Sequence, residues 1–115
     1  MEKIKKVIKS FPHAFRGVHY AFWSGLNFRL MVYASLAAII VLGAKPIPSS
    51  HMLALVLASA LLLVVELINT AVEKAMDILL PGELEEIKHI KDMMAGAALI
   101  ASVCWFVVAL YVLTV

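Results

Sequence analysis

The chain has 115 residues, 63% of them hydrophobic and 16% charged, with a formal net charge of +2 and one cysteine. A soluble domain is typically about 45–50% apolar and about 25% charged, and a chain this short has too little interior to hide the surplus, so the excess must face lipid. These numbers exclude a soluble kinase, dehydrogenase or protease domain and a disulfide-built scaffold. The lone thiol is Cys104, and the small net charge offers no nucleic acid a surface. Length argues for a single domain over 1–115.

At the N-terminus, Ile4, Val7, Ile8 and Phe11 recur at steps of three and four, with Lys3, Lys5, Lys6 and Lys9 elsewhere around the helix. The pattern predicts an amphipathic helix over about 1–25, lying in the membrane interface. The plainer alternative is a disordered basic tail, which the regular apolar spacing disfavours. The segment is too charged for the apolar core of a signal peptide and shows no small-residue cleavage site. Phe15, Tyr20, Phe22 and Trp23 read as an interfacial aromatic belt, at the level of a lipid headgroup.

Three uncharged blocks follow, residues 30–44, 46–65 and 93–115. A helix needs roughly 20 apolar residues to cross the hydrocarbon core. The blocks therefore predict three membrane spans, over about 27–44, 51–80 and 92–115. The first reaches that length with Arg29 snorkelling to the interface, and the second continues as one long helix beyond Thr70. The turn from Gly43 to Ser50, with Pro46 and Pro48, separates the first two spans, and Pro81-Gly82 marks the next break. A short acidic and basic segment, Glu83 to Lys91, leads into the last span. The fold class is thus an all-α membrane protein, an interfacial helix plus three transmembrane helices. Of the ten lysines and arginines, six precede the first span, three (Lys74, Lys88, Lys91) lie between the second and third, and Lys45 alone lies on the opposite side. The positive-inside rule predicts a cytoplasmic N-terminus and 74–92 segment, with the C-terminus outside.

The informative stretch is Glu66-Leu67-Ile68-Asn69-Thr70-Ala71-Val72-Glu73-Lys74-Ala75-Met76-Asp77. Glu66, Asn69, Glu73 and Asp77 step by three, four and four and so share one helix face. Glu66 follows twenty uncharged residues and sits at or just inside the membrane boundary. A carboxylate at the bilayer centre costs at least about 2.5 kcal/mol on insertion scales, so such a residue is seldom accidental. Carboxylates on one stripe repel unless a cation or proton joins them, and Mg²⁺ takes oxygen ligands, often one or two carboxylates plus substrate phosphates. The bland reading is a solvated helix end, which suits Asp77 better than Glu66 or Asn69. Lys91-Asp92 opens the third span from the same side. A lysine there can hold a phosphate as a point charge, and an ordinary interfacial anchor is the competing reading. The glycines form neither a phosphate-binding loop nor a dinucleotide fingerprint. His13, His19, His51 and His89 lack metal-ligand spacing, and His51 reads as a helix-start residue on the far side.

At these residues the sequence resembles the small bacterial membrane lipid kinases, the diacylglycerol kinase and undecaprenol kinase family. The resemblance rests on Glu66-Leu67-Ile68-Asn69-Thr70-Ala71-Val72-Glu73 with Asp77 following, on Lys91-Asp92-Met93-Met94-Ala95-Gly96-Ala97-Ala98, and on the 14-residue step from Asp77 to Lys91. It covers essentially the whole chain. It implies a homotrimer in the bacterial cytoplasmic membrane, with active sites between subunits, that transfers the γ-phosphoryl of ATP to a lipid hydroxyl with Mg²⁺. Carried over by position, Glu66 is the general base. Asn69, Glu73, Lys91, Asp92 and Lys6 bind ATP. Glu73, with Asp77 as a further candidate, holds the metal. Phe22, Trp23, Glu66 and Ala95 contact the lipid.

Two departures from the family pattern matter. A metal-binding glutamate is replaced by Gly25, and Glu-Tyr-His is replaced by Gly82-Glu83-Leu84. The first departure motivates a second reading, a non-catalytic trimeric membrane homologue or lipid-binding subunit. A third reading, a small proton-coupled transporter using Glu66, fits the motif pair and the span count less well. Thr70 and Met94-Ala95-Gly96 look more like the undecaprenol kinase branch, but the lipid-facing surface shows no headgroup code.

Overall fold

The computed structural model describes residues 1–82 and 84–115. The chain forms α1 (Glu2–Ser24), α2 (Leu26–Gly43), α3 (Ser49–Leu79) and α4 (Glu85–Thr114), and there is no strand among the described residues. By length and composition α2, α3 and α4 are each able to cross a membrane. The 18 residues of α2 rise about 27 Å, just short of the roughly 30 Å hydrocarbon core. Its first turn must therefore sit at the interface. Arg29 is turned accordingly toward α1, where Nη1 donates to the Phe22 carbonyl at 3.5 Å and the guanidinium lies 6.0 Å from the Trp23 ring centre.

Only Gly25 separates α1 from α2, in extended backbone at φ −113° and ψ 109°. Residues 2–20 of α1 are all exposed, and Ala21 is its only buried residue. The stripe of Ile4, Val7, Ile8, Phe11 and Phe15 is exposed, as an interfacial helix requires.

The α3–α4 pair is an antiparallel hairpin held at three levels. The His51 ring stacks on Tyr111 with centres 5.0 Å apart, Trp105 Nε1 donates to Ser59 Oγ at 2.9 Å, and Lys91 meets Asp77 at 2.6 Å. Between these levels lie two small clusters, Leu42 with Leu55 and Val112, and Leu62 with Ala101 and Trp105. Ile47 from the first turn packs on the former. Most other apolar side chains point outward, because in lipid no hydrophobic force drives helices together and close approach relies on small residues. Ala101 and Ser59 serve that purpose here.

Helix boundaries lie within two residues of the expected ones at both ends of α1, α2 and α3. The difference is in α4, which starts at Glu85 instead of near 92. Ile87, 6% exposed, anchors that extra stretch, and Glu85 and Glu86 favour a helix N-terminus. Before it, Gly82 adopts φ +130°, a conformation that L side chains rarely take. Glu83, which belongs both to the expected linking segment and to the Gly82-Glu83-Leu84 departure, lies outside the described residues.

Candidate functional site

The depth of each polar residue on α3 follows from helical rise. Counted from Ser49, Glu66 lies about 25 Å along the axis, Asn69 about 30 Å, Glu73 about 36 Å and Asp77 about 42 Å. A hydrocarbon core of roughly 30 Å that begins at Ser49 therefore ends at about Asn69, with Glu66 just inside it. Burial follows the same gradient. Glu66 is 4% exposed, Asn69 is half-buried, and Glu73 and Asp77 are exposed. Glu66 is the sole charged residue in the buried interior among those described. Thr70 Oγ1 donates to the Glu66 carbonyl at 2.9 Å. The stripe thus runs from one sheltered carboxylate to two hydrated ones.

α4 joins this stripe at its outer end. Lys91 Nζ donates to Asp77 Oδ1 at 2.6 Å across the Pro81-Gly82 turn. Beside the pair is a cavity of about 570 Å³ lined by Lys88, His89, Lys91 and Asp92, with Glu85, Ile87 and Leu84. Two ammonium groups at the start of a helix suit an anionic ligand. Lys88 and His89 were not singled out in the sequence. The signal was present, since 85, 88, 89 and 92 share one helix face, but it became legible only once the helix was known to begin at Glu85.

On the opposite flank of α3, a Cβ built at Gly25 would stand 3.8 Å from Thr70 Cγ2. Position 25 therefore faces the α3 residue next to Asn69. Lys74 lies 5.2 Å from the Tyr20 ring centre and ties α1 to the hydrated end of α3. Between these helices is an apolar groove of about 510 Å³ bounded by Ala14, Gly17, Ala21, Leu67 and Thr70, with Lys74 and Tyr20. Phe22 packs edge-on against Trp23 and Tyr33, with ring centres 5.1 Å and 5.7 Å away. These rings form an aromatic cluster where α1 meets α2.

The residues assigned by resemblance fall into separate groups in one chain. Glu66, Asn69, Glu73, Asp77, Lys91 and Asp92 share the α3–α4 end. Phe22 and Trp23 lie at the α1–α2 junction, and Lys6 lies on the exposed part of α1. Among the described residues α1 makes no contact with α4, so neither Lys6 nor the aromatic pair meets Lys91, Asp92 or Ala95.

Among the described residues no three His, Cys, Asp or Glu side chains converge as a metal site. Mg²⁺ does not need such a cage, being held commonly by one or two carboxylates plus substrate phosphates. Glu73 is an exposed oxygen donor one turn from Asp77 on the hydrated part of the stripe. The donor chemistry fits a hard cation that arrives with a nucleotide, and does not fit a preformed protein-only site.

A family model described as prokaryotic diacylglycerol kinase matches residues 12–113. The chain belongs to that family. A curated diacylglycerol kinase from Synechocystis sp. is 33% identical over 103 residues. The aligned part is 89% of this chain and 59% of that relative, so the chain spans little more than half of the relative's length. All the family-assigned positions on α3 and α4 lie inside the matched segment, as does Gly25, whereas Lys6 precedes it.

Proposed function

We propose that this chain is a membrane lipid kinase that transfers the γ-phosphoryl of ATP to the hydroxyl of diacylglycerol or undecaprenol at the cytoplasmic membrane surface. The observation that carries this reading is the α3 stripe. It sets one buried carboxylate, Glu66, just inside the membrane boundary and leads within three turns to Lys91 and Asp92, which line a cavity at the start of α4. A lipid hydroxyl reaches Glu66 from the bilayer and a nucleotide reaches Lys91 from water. The two substrates can meet only at such a boundary.

In the proposed reaction the lipid oxygen attacks the γ-phosphorus, the bond from the γ-phosphorus to the β–γ bridging oxygen breaks, and ADP departs. Glu66 accepts the hydroxyl proton. Asn69 orients the phosphates, and Lys91 offsets their charge. Asp92 lies on the ribose side. Glu73 holds Mg²⁺, which when bound neutralises charge on the phosphate oxygens. Catalysis of this type is mostly positioning and electrostatics. Phe22, Trp23 and Ala95 flank the lipid, and Lys6 contributes to the nucleotide. Because α1 does not touch α4 within a chain, Lys6 and the aromatic pair would complete the site of a neighbouring subunit. A site shared between subunits needs an oligomer; the homotrimer is what the family resemblance implies, and the lysine and arginine distribution supports a cytoplasmic N-terminus for this single domain.

The second reading, a non-catalytic homologue, is favoured by Gly25, which has no side chain to offer a cation. Radiolabelled phosphate transfer from Mg²⁺-ATP to a panel of diacylglycerol and undecaprenol in mixed micelles decides between the readings. Transfer that disappears in Glu66→Gln supports the kinase. No transfer to any lipid by the wild-type chain rejects it.

A further inference from the structure

We infer that the groove between α1 and α3 seats one anionic phospholipid of the membrane, with its acyl chain along Leu67 and Ala71 and its phosphodiester on the Lys74 ammonium. The inference concerns binding and holds whether or not the chain transfers phosphate. At about 510 Å³ the groove lies in the size range of small-ligand sites, and Lys74 is the single charged residue on its walls. Counted from Ser49, Leu67 lies about 27 Å along the α3 axis and Lys74 about 38 Å. A hydrocarbon core of roughly 30 Å therefore ends inside the groove, between its apolar floor and its ammonium. An occupant must be apolar at one end and polar at the other, as a membrane lipid is.

The walls leave room for a chain. Leu67, Ala71 and Lys74 recur at steps of four and three on one face of α3, facing Gly17 and Ala21 on α1. A Cβ built at Gly17 would meet no heavy atom within 4 Å among the described residues beyond its own stretch of helix. An unfilled groove in lipid forfeits the dispersion contacts of its walls, so a chain enters it. Charge selects the head group. The Lys74 ammonium lies 5.2 Å from the Tyr20 ring centre, and among the described residues no carboxylate pairs with it. An ammonium has three donors, so an aromatic ring and a phosphate oxygen can share it. On α1, Lys3, Lys5, Lys6, Lys9 and Arg16 stand against one acid, Glu2, so the surface leading to the groove attracts anions. One ammonium matches the single charge of a phosphodiester, whereas a phosphomonoester carries about −1.5 to −2 and diacylglycerol carries none.

The test reconstitutes the full chain in phosphatidylcholine vesicles. Electron paramagnetic resonance of spin-labelled phosphatidylglycerol, phosphatidylcholine and diacylglycerol then resolves lipid immobilised on the protein. Phosphatidylglycerol should be held about fivefold more tightly than phosphatidylcholine, the worth of one cation at an anionic head group. The preference should fade in salt of about 1 M. Lys74→Gln should remove it and Lys74→Arg should keep it. Tyr20→Leu, which takes away the ring and leaves the ammonium, should keep it too. Gly17→Leu fills the groove while favouring helix, and should release immobilised lipid without lowering the unfolding temperature. Should Gly17→Leu fold poorly, the Lys74 series decides by itself. Equal losses in Lys74→Gln and Lys9→Gln indicate a diffuse basic surface and overturn the inference. A loss in Tyr20→Leu equal to that in Lys74→Gln makes the lysine a tether for α1 and overturns it as well. Displacement of phosphatidylglycerol by diacylglycerol gives the groove to a neutral lipid, and a Gly17→Leu chain that loses its oligomeric state but no lipid gives it to a second copy; either result overturns the inference.

Discussion

Substituting Gly25 by glutamate tests whether the kinase site lacks a carboxylate or has dispensed with one. The backbone at position 25 has φ −113°, which any L residue accepts. A Cβ there would stand 3.0 Å from the Ala21 carbonyl oxygen, 3.7 Å from Phe28 Cβ and 3.8 Å from Thr70 Cγ2. The first contact is tight by a few tenths of an ångström and lies at the last turn of α1. Removing glycine's freedom from the unfolded chain contributes about 0.4–1 kcal/mol in the other direction. Gly25→Ala should therefore leave stability within about 1 kcal/mol of wild type.

Gly25→Glu adds a carboxylate beside Thr70, flanked along α3 by Asn69 and within a turn of Glu66 and Glu73. At an effective dielectric near 20, a unit charge 4 Å from another is worth about 4 kcal/mol, and repulsion among the three acids removes much of the gain for a dication. A net benefit of about 1.4 kcal/mol corresponds to a tenfold fall in the Mg²⁺ concentration for half-maximal transfer. The assay is lipid phosphorylation against Mg²⁺ concentration, with Mn²⁺ binding followed by electron paramagnetic resonance as a readout independent of turnover. A folded Gly25→Glu protein whose Mg²⁺ and Mn²⁺ dependence equals that of Gly25→Ala would refute the placement of position 25 at a metal.

Other outcomes follow from the same geometry. Glu66→Gln should lower kcat by about 10²–10⁴, the range for a lost general base, while unfolding in micelles shows no loss of stability because a buried charge has been removed; transfer within tenfold of wild type would count against Glu66 as the base. Ser59→Ala leaves Trp105 Nε1 without its acceptor and should cost about 0.6–1.7 kcal/mol in reversible micellar unfolding. Ser35→Ala should be neutral or slightly stabilising, since the Ser35 hydroxyl is buried without a hydrogen-bond partner among the described residues. Equal effects of the two serine substitutions would show that the Trp105 bond adds nothing.

Much of the organisation was open to a reader of the sequence, because each part of it is local. Charge-free blocks set the three spans, since lipid tolerates few charges, and the step of three and four residues set the apolar face of α1. The same period gathered Glu66, Asn69, Glu73 and Asp77 on one face, and resemblance attached roles to them. Periodicity reports how residues are arranged around one axis. It is silent on how one helix is rotated against the next. Hence Lys91 was visible as a phosphate ligand but not as the partner of Asp77, and Lys88 and His89 were read only for topology and metal spacing while α4 was expected to start near 92. Ile87 is a single apolar residue among charges, too little for a period, and its burial against the bundle is what carries the helix back to Glu85.

Composition, at 63% hydrophobic, determined the solvent, and the order of charged and apolar residues determined the number of spans and the face that must stay polar. Tertiary structure decided which of those polar groups meet. It joined Asp77 to Lys91, gave Trp105 its acceptor in Ser59, and set Gly25 against Thr70. The physical reason is range. Transfer into lipid acts on each residue by itself and is written along the chain, whereas an ion pair or a hydrogen bond depends on a few ångströms between helices, which only their packing sets.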